Sequence, residues 1–237
     1  MIVADCRSPN YGLGNRINVL CAAYAGAAVR GMPCSCVWES SADCQAEWSD
    51  LFLPLPDVEM LGEIPKGAIV NNVPTYLPKH KQRHKRQVGV PVFTAEYWEA
   101  WQRCAKNIRL LPELEVPDKR GFTAVHVRAL HQRTPVHPGW WRAVPALSNL
   151  FLSVDDSATF RMLQYVWPNA WWLNEPTATQ DRGENRGLED IKAAARDMVM
   201  LSRADRMIVV GGPSSFRNFA HLGFAVPLLR CYHGTNP

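Results

Sequence analysis

Short apolar runs alternate along this chain with amphipathic segments of helical period, and this alternation restricts the fold more than any other feature. Residues 1–5, 34–38 and 122–127 are apolar runs, whereas residues 15–30 and 188–201 repeat their apolar side chains at helical spacing. Strands that are apolar almost throughout are typical of parallel sheets covered by helices. The sequence therefore predicts an α/β fold with mostly parallel sheets.

The same alternation divides the chain into two parts. Six prolines between residues 39 and 93 exclude a long helix there, so short strands and loops are expected. A proline-bounded linker at residues 112–120 would separate an N-terminal domain, residues 1–111, from a C-terminal domain, residues 121–237. The remaining expected strands are 68–71, 150–154, 170–173, 207–210 and 226–229, and the remaining helical segments are 94–107, 139–146, 157–166 and 214–222. Two small Rossmann-like halves with a cleft between them are the expected architecture.

Composition favours a soluble globular protein. The 237 residues are 47% hydrophobic and 20% charged, which excludes a disordered or fibrous chain. The longest apolar stretch, residues 19–29, is shorter than the ~20 residues of a bilayer span, and no signal-peptide pattern opens the sequence. Seven cysteines without a CxxC pair predict reduced thiols rather than a metal site. We expect a cytoplasmic protein without a membrane span.

The positive charge of the chain is concentrated in one segment. The formal net charge is +4, yet five cations fall within residues 79–86 and the rest of the chain carries −1. We expect this run to form a basic loop, either solvated or in contact with phosphates of nucleic acid or another polyanion. Its cations are Lys79, Lys81, Arg83, Lys85 and Arg86.

Polar motifs follow the first strands of both halves. Gly12 and Gly14 form a turn before the first helix, where Asn15 and Arg16 follow, so the turn is either structural or an anion site at a helix N-terminus. His126 and Arg128 end the strand at 122–127 on one face of it. An arginine there can bind a phosphate in bidentate fashion or form an ion pair with a nearby helix.

Two more motifs follow later strands of the second half. Asp155 can accept a hydrogen bond from a ribose or a base, whereas Asp156 or Ser157 can cap the next helix. A turn containing Gly211 and Gly212 leads to three further candidates, and it combines glycines, hydroxyls and a helix N-terminus. These candidates are Ser214, which can also be a plain N-cap, Ser215 and Phe216.

Taken in order, the motifs resemble those of the fucosyltransferase superfamily, which includes α1,2-, α1,6- and protein O-fucosyltransferases. The resemblance covers residues 1–38 and 121–223. It comprises a G-x-G-N-[QR] turn at 12–16, an H-x-R strand end at 126–128, an acidic turn at 153–156, a D-x-x-x-[LM]-S-x-[AC]-[DK] segment at 197–205 and an S-[ST]-F turn at 214–216.

The resemblance implies a GT-B-like glycosyltransferase that uses a nucleoside-diphosphate sugar, typically GDP-fucose, with no cofactor and no bound metal. Arg128 would grip the diphosphate, and Asp155 or Asp156 would contact the base. The turn at 214–216 would hold phosphates, with Gly12, Gly14 and His126 completing the donor site. Asn15 and Arg16 would line the reaction centre.

The sequence departs from the family pattern after His126 and Arg128, where a second arginine and an aspartate are missing. A general base is expected, and Glu39 is the preferred candidate, followed by Asp5 and His126. The acceptor is either a glycan or small molecule, or a hydroxylated base of DNA bound by the basic run and exposed tryptophans. A third interpretation, favoured by the missing arginine and aspartate, is a binding module without catalytic activity.

Overall fold

The computed structural model describes residues 1–8, 11–75, 78–90, 94–128, 139–144, 147–176, 187–211 and 214–232. The polar segment expected at 177–186 and residues 129–131 and 212–213 lie outside the described residues. None of the helices in the described ranges combines the length and apolar composition that a bilayer-spanning helix needs.

The first half of the chain forms a four-stranded parallel sheet in the order β3-β2-β1-β4. Its strands are β1 (Ile2–Asp5), β2 (Cys34–Val37), β3 (Val58–Leu61) and β4 (Ile69–Asn71), and its helices are α1 (Leu13–Val29), α2 (Pro78–Val88) and α3 (Ala95–Asn107). The side chain of Thr94 caps α3 by accepting a hydrogen bond from the backbone of Tyr97.

The second half forms another four-stranded parallel sheet, in the order β6-β5-β7-β8. Its strands are β5 (Thr123–Arg128), β6 (Leu150–Val154), β7 (Arg206–Gly211) and β8 (Leu228–Tyr232), and its helices are α4 (Ser157–Val166), α5 (Leu188–Arg203) and α6 (Ser215–Phe224). Short 3-10 helices occur at Trp48–Asp50, Pro112–Leu114 and Trp140–Ala143. The predicted α/β fold with parallel sheets is confirmed, whereas the division into domains at residues 112–120 stays a prediction.

Two expectations about local structure are wrong. The basic run lies in a helix, α2, rather than in a loop. Lys, Arg and Gln favour helix, and Pro78 occupies the first position, where its missing N–H costs nothing. The expected strand at 170–173 contributes only an isolated bridge between Trp171 and Phe151, because no further residue of that segment pairs with β6.

The two halves meet through helices rather than through their sheets. Side chains from α1, α3, α5 and α6 share one buried cluster, which includes Ile17, Leu20, Trp101, Met198 and Phe219. Because both halves contribute to the same core, burial of this cluster fixes how the two sheets are arranged relative to each other.

The N-termini of α1 and α6 touch at this junction. A Cβ atom on Gly14 would overlap the side chains of Ser215 and Phe216, so only glycine allows this approach. Asn18 is buried and its amide joins the two helices, since Nδ2 donates to the carbonyl oxygens of Gly14 at 2.6 Å and Ser215 at 3.2 Å. The turn before α1 is thereby held against the start of α6.

Replacing Gly14 by alanine should therefore lower the free energy of unfolding by roughly 1–3 kcal/mol, the usual cost of overpacking a close contact. Urea denaturation measures the loss. Gly62→Ala is the matched control, because an added Cβ atom there has no neighbour within 4 Å. Equal stability of the two variants would show that α1 and α6 do not approach as closely as described.

Candidate functional site

Charged side chains lie at the carboxyl ends of the strands in both sheets. Asp5 ends β1 and Glu39 follows β2, whereas Arg128 ends β5 and Asp155 follows β6. Helices α1 and α6 begin at these same edges, and their N-termini are in contact. The two edges therefore face a common region, which is where parallel α/β sheets bind ligands.

Gly211 allows the ends of β5 and β7 to come together. It pairs with Arg128 in the ladder and has a φ of 93°, which L-residues with a side chain rarely adopt. A Cβ atom at this position would also overlap the carbonyl group of Arg128. Glycine at this position thus lets the chain turn from β7 towards α6 directly beside Arg128.

His126 is the buried centre of the second half of the site. Its Nε2 atom lies 2.7 Å from Ser214 Oγ, its Nδ1 atom lies 3.3 Å from Ser153 Oγ, and its ring stacks against Phe216. Burial, followed by the positive charge of Arg128, lowers the pKa of His126 to about 3. The imidazole is therefore neutral and only weakly basic at pH 7, and this low basicity makes His126 a poor candidate for the general base.

A series of buried polar side chains passes through His126. Asp197 is hydrogen-bonded to Ser153, Ser153 Oγ lies 3.3 Å from His126 Nδ1, and Ser214 Oγ lies 2.7 Å from His126 Nε2. Ser214 in turn accepts from the backbone of Arg217 and caps α6. Burial raises the pKa of Asp197 to about 7. The sequence contained Asp197 in a family motif, but only the fold brings it into this series.

The hydroxyl of Ser214 is engaged inside the protein, whereas Ser215 and Phe216 stay partly exposed at the start of α6. Asp156 caps α4 by accepting from the backbone of Thr159 at 2.6 Å, which confirms the capping alternative for the acidic turn. Asp155 lies 3.6 Å from Arg128 Nε and forms an ion pair with it. Arg128, the candidate for binding the diphosphate, and Asp155, the candidate for contacting the base, thus lie next to each other.

Arg217 is a candidate that the sequence motifs did not indicate. It lies in the first turn of α6, and its guanidinium donates to Asn218 Oδ1 at 3.0 and 3.2 Å. Its positive charge, like that of Arg128, acts on His126 and disfavours the protonated ring. Two guanidinium groups from different elements therefore lie near the N-terminus of α6.

Arg16 is completely buried and anchors the loops of the first half. Its guanidinium donates to the backbone oxygens of Tyr11 and Glu39 and to the hydroxyl of Ser41, and it lies over the ring of Trp38. Through these contacts Arg16 holds the turn before α1 and the segment after β2 in place. The preceding residue, Asn15, is partly exposed in the first turn of α1.

Arg7 joins the two acidic candidates for a general base, and sequence reasoning did not single it out. Its guanidinium donates two hydrogen bonds to Asp5, of 2.8 and 3.3 Å, its backbone N–H donates a third at 3.3 Å, and it approaches Glu39 Oε1 at 3.6 Å. Donating hydrogen bonds to the Asp5 carboxylate raises the pKa of Arg7. Glu39 is the more accessible carboxylate, because 54% of its side chain is exposed against 20% for Asp5.

Three cations of the basic run are exposed, as the sequence indicated, whereas the tryptophans are not. Arg83, Lys85 and Arg86 are exposed on α2, and Lys81 is partly buried. Each of the nine tryptophans is buried or only partly exposed, so the expected exposed tryptophans are absent.

The described residues also contain a cavity of about 450 Å³ away from the strand ends, lined in part by Ile108, Val116, Arg203, Phe219 and Phe224. None of the candidate site residues lines it. Within the same described ranges, no group of three or more His, Cys, Asp or Glu side chains is arranged to hold a metal ion.

No protein-family model and no curated protein matches the sequence, but solved fucosyltransferase structures are similar in fold. A structure of the α-1,6-fucosyltransferase NodZ soaked with GDP-fucose has a TM-score of 0.61, with 17% identity over 93% of this chain and 91% of that one. NodZ from Bradyrhizobium gives 0.58, with 18% identity over 93% and 92% of the two chains. A FUT1 variant from Arabidopsis thaliana in complex with GDP gives 0.53, with 12% identity over 100% and 72%. The likeness confirms the fold that the motifs implied.

The burial of His126 predicts a pH-dependent stability. Because the pKa of His126 is about 3 in the folded chain and 6.5 ordinarily, only the unfolded chain takes up this proton between those values, so stability is lost as pH falls through this range. Relative to a His126→Asn variant, the wild-type protein should lose roughly 2 kcal/mol between pH 7 and pH 5. Urea denaturation of both proteins at the two pH values measures this difference. A constant difference would mean that His126 is accessible to protons.

Proposed function

We propose that this protein is a fucosyltransferase-like glycosyltransferase that transfers a sugar from a GDP-linked donor, GDP-fucose or a close analogue, to an acceptor hydroxyl. The observation that carries the proposal is the grouping of Arg128, Arg217 and the start of α6 around His126. The fold adds support, because solved fucosyltransferases of this fold contain GDP-fucose or GDP.

The second half supplies the groups that a leaving diphosphate needs. When the bond between the anomeric carbon and the phosphate oxygen breaks, negative charge develops on the diphosphate. Arg128 and Arg217 would neutralise this charge, and the N-terminus of α6 would add its partial positive charge. Asp155, already paired with Arg128, would orient that guanidinium or accept a hydrogen bond from the base. We therefore propose that no bound metal is required.

The first half would supply the acceptor side. An acceptor hydroxyl would attack the anomeric carbon from the face opposite the diphosphate, which inverts the configuration. Its proton would pass to Glu39, whose backbone Arg16 holds and whose carboxylate Arg7 approaches. Asp5 is less suited to this task, because the hydrogen bonds that it accepts from Arg7 involve both carboxylate oxygens. Asn15 would line the reaction centre at the start of α1.

Arg217 also weakens the argument for a binding module without activity. That interpretation rested on the second arginine that is missing after Arg128. A cation contributed by α6 restores the same positive charge from another element, since Arg217 and Arg128 both act on His126. We infer that Arg128 and Arg217 together form the clamp for the donor diphosphate. The second arginine of the clamp then comes from α6, and the positive charge of the site is retained.

Loss of either clamp arginine should weaken nucleotide binding. Arg128→Ala and Arg217→Ala should each cost roughly 1.5–3 kcal/mol in GDP affinity, the range for a hydrogen bond to a charged group. Isothermal titration with GDP measures the change in the full-length protein. Arg206→Ala is the control, because this exposed arginine starts β7 at the opposite end of the sheet. Unchanged affinity in a folded Arg217→Ala protein would remove Arg217 from the clamp.

The reaction itself is tested by incubating the protein with GDP-fucose and following release of GDP, with and without a panel of glycan acceptors. We expect release of GDP that persists in excess EDTA, because the two arginines replace the charge of a divalent ion. If EDTA abolished turnover and Mg²⁺ or Mn²⁺ restored it, a metal-dependent enzyme would be the correct assignment. A protein that binds GDP but never releases it from GDP-fucose would be a binding module.

A further inference from the structure

Helix α2 carries a concentrated positive charge that the proposed reaction does not use. It contains five lysines and arginines and no acidic residue between Pro78 and Val88. Arg83, Lys85 and Arg86 are exposed. In the part of the chain that the structure describes, neither Lys85 nor Arg86 forms an ion pair with an acidic side chain.

Arg83, Lys85 and Arg86 face outward because the opposite side of the helix is anchored. His84 and Val88 are fully buried, and Val88 packs against Gly26 of α1. The amide of Asn71 donates to two backbone oxygens, so its oxygen accepts from His84 Nδ1–H at 2.8 Å. This hydrogen bond and the packing of Val88 fix the rotation of α2 and hold its basic side chains on the surface.

Arg83 connects α2 to the acceptor side of the candidate site. Its guanidinium donates to Asn72 Oδ1 at 3.2 Å, and the backbone oxygen of Asn72 accepts from the Tyr11 hydroxyl at 3.2 Å. The backbone oxygen of Tyr11 accepts from Arg16, which also holds Glu39. Burial raises the pKa of Tyr11, and the positive charge of Arg83 opposes that increase. Arg83 therefore lies beside the turn that opens α1.

We propose that the acceptor is anionic, a saccharide carrying sulfate, phosphate or carboxylate groups, and that Arg83, Lys85 and Arg86 bind those groups. This inference rests on the proposed glycosyltransferase function and deepens it. The cations lie on a single eleven-residue helix, about 16 Å long at 1.5 Å per residue, which matches a short cluster of anionic groups. Fixed cations on a helix are well suited to recognising such groups.

A short anionic saccharide fits this surface better than nucleic acid does. Outside residues 79–86 the chain carries a formal charge of −1, so an extended duplex would meet no further excess of positive charge. Single strands are bound by stacking bases on exposed aromatic rings, but none of the nine tryptophans is exposed, and the exposed ring of Tyr165 lies on α4 in the other half of the chain, not beside α2. Binding of duplex DNA is accordingly an outcome that the experiment below is designed to detect.

The test compares two full-length triple variants with the wild-type protein. The first is Arg83→Gln, Lys85→Gln, Arg86→Gln on α2. The matched control, Arg103→Gln, Lys106→Gln, Arg109→Gln, removes the same charge from exposed positions in the last turns of α3 and just after it. That end packs near Gly223 at the C-terminal end of α6, away from the α6 N-terminus and the candidate site.

Isothermal titration uses a heparin-derived tetrasaccharide, its desulfated counterpart and a duplex DNA of similar charge, with GDP titrated separately. We expect the wild-type protein to prefer the sulfated tetrasaccharide and to lose affinity as salt rises. The α2 variant should bind it about tenfold more weakly, the sum expected of three exposed charge pairs, whereas the control variant should bind like the wild type. GDP affinity should be the same in all three proteins.

Equal binding of the sulfated and desulfated saccharides by the wild type would overturn the inference, and so would equal losses in both variants. Tighter binding of the duplex than of the tetrasaccharide would overturn it in favour of a nucleic-acid acceptor. If the wild-type protein neither bound GDP nor turned over GDP-fucose, the proposed function would instead be refuted. Saccharide binding therefore tests the inference, and GDP binding and turnover test the proposed function.

Discussion

The contact between the first turns of α1 and α6 is the constraint on which the rest of the site depends. Gly14 permits it because any side chain there would overlap Ser215 and Phe216, and the buried amide of Asn18 bonds to both helices. Since each helix begins at the carboxyl edge of its own sheet, this contact sets the two edges against each other. Without it, the candidates of the two halves would lie on separate surfaces.

His126 organises the second half by remaining neutral. Burying a polar ring is costly unless its atoms are hydrogen-bonded, and both ring nitrogens lie within hydrogen-bond distance of serine hydroxyls. Nearby Arg128 and Arg217 disfavour a charge on the ring. The neutral ring therefore adds no competing positive charge, and a bound anion would interact with the two arginines and the helix terminus.

The first half is organised by buried arginine and asparagine side chains whose partners are mostly backbone oxygens. Arg16 fixes the turn before α1 and the segment after β2, and Asn71 fixes α2 through His84. Each burial is offset by several hydrogen bonds, which are more favourable when one partner is charged. The accessible groups, Glu39 and the cations of α2, are thereby held on a rigid frame at the edge of the first sheet.

The sequence by itself determined the α/β class, most elements and the strand ends where polar residues collect, because apolar periodicity and caps such as Thr94 are local properties of the chain. The position of Arg128 at a strand end was predictable for the same reason. The helix at the basic run was missed because the prolines between residues 39 and 93 pointed to loops, although Lys, Arg and Gln favour helix. Packing of His84 and Val88 against other elements adds to its stability. Likewise, Arg217 and Arg128 come near the same ring, that of His126, and Asp197 bonds to Ser153, only because residues distant in the sequence are packed together. Only the tertiary structure decides which of these residues are neighbours, because burial and electrostatic interactions depend on distances in space and not on separation along the chain.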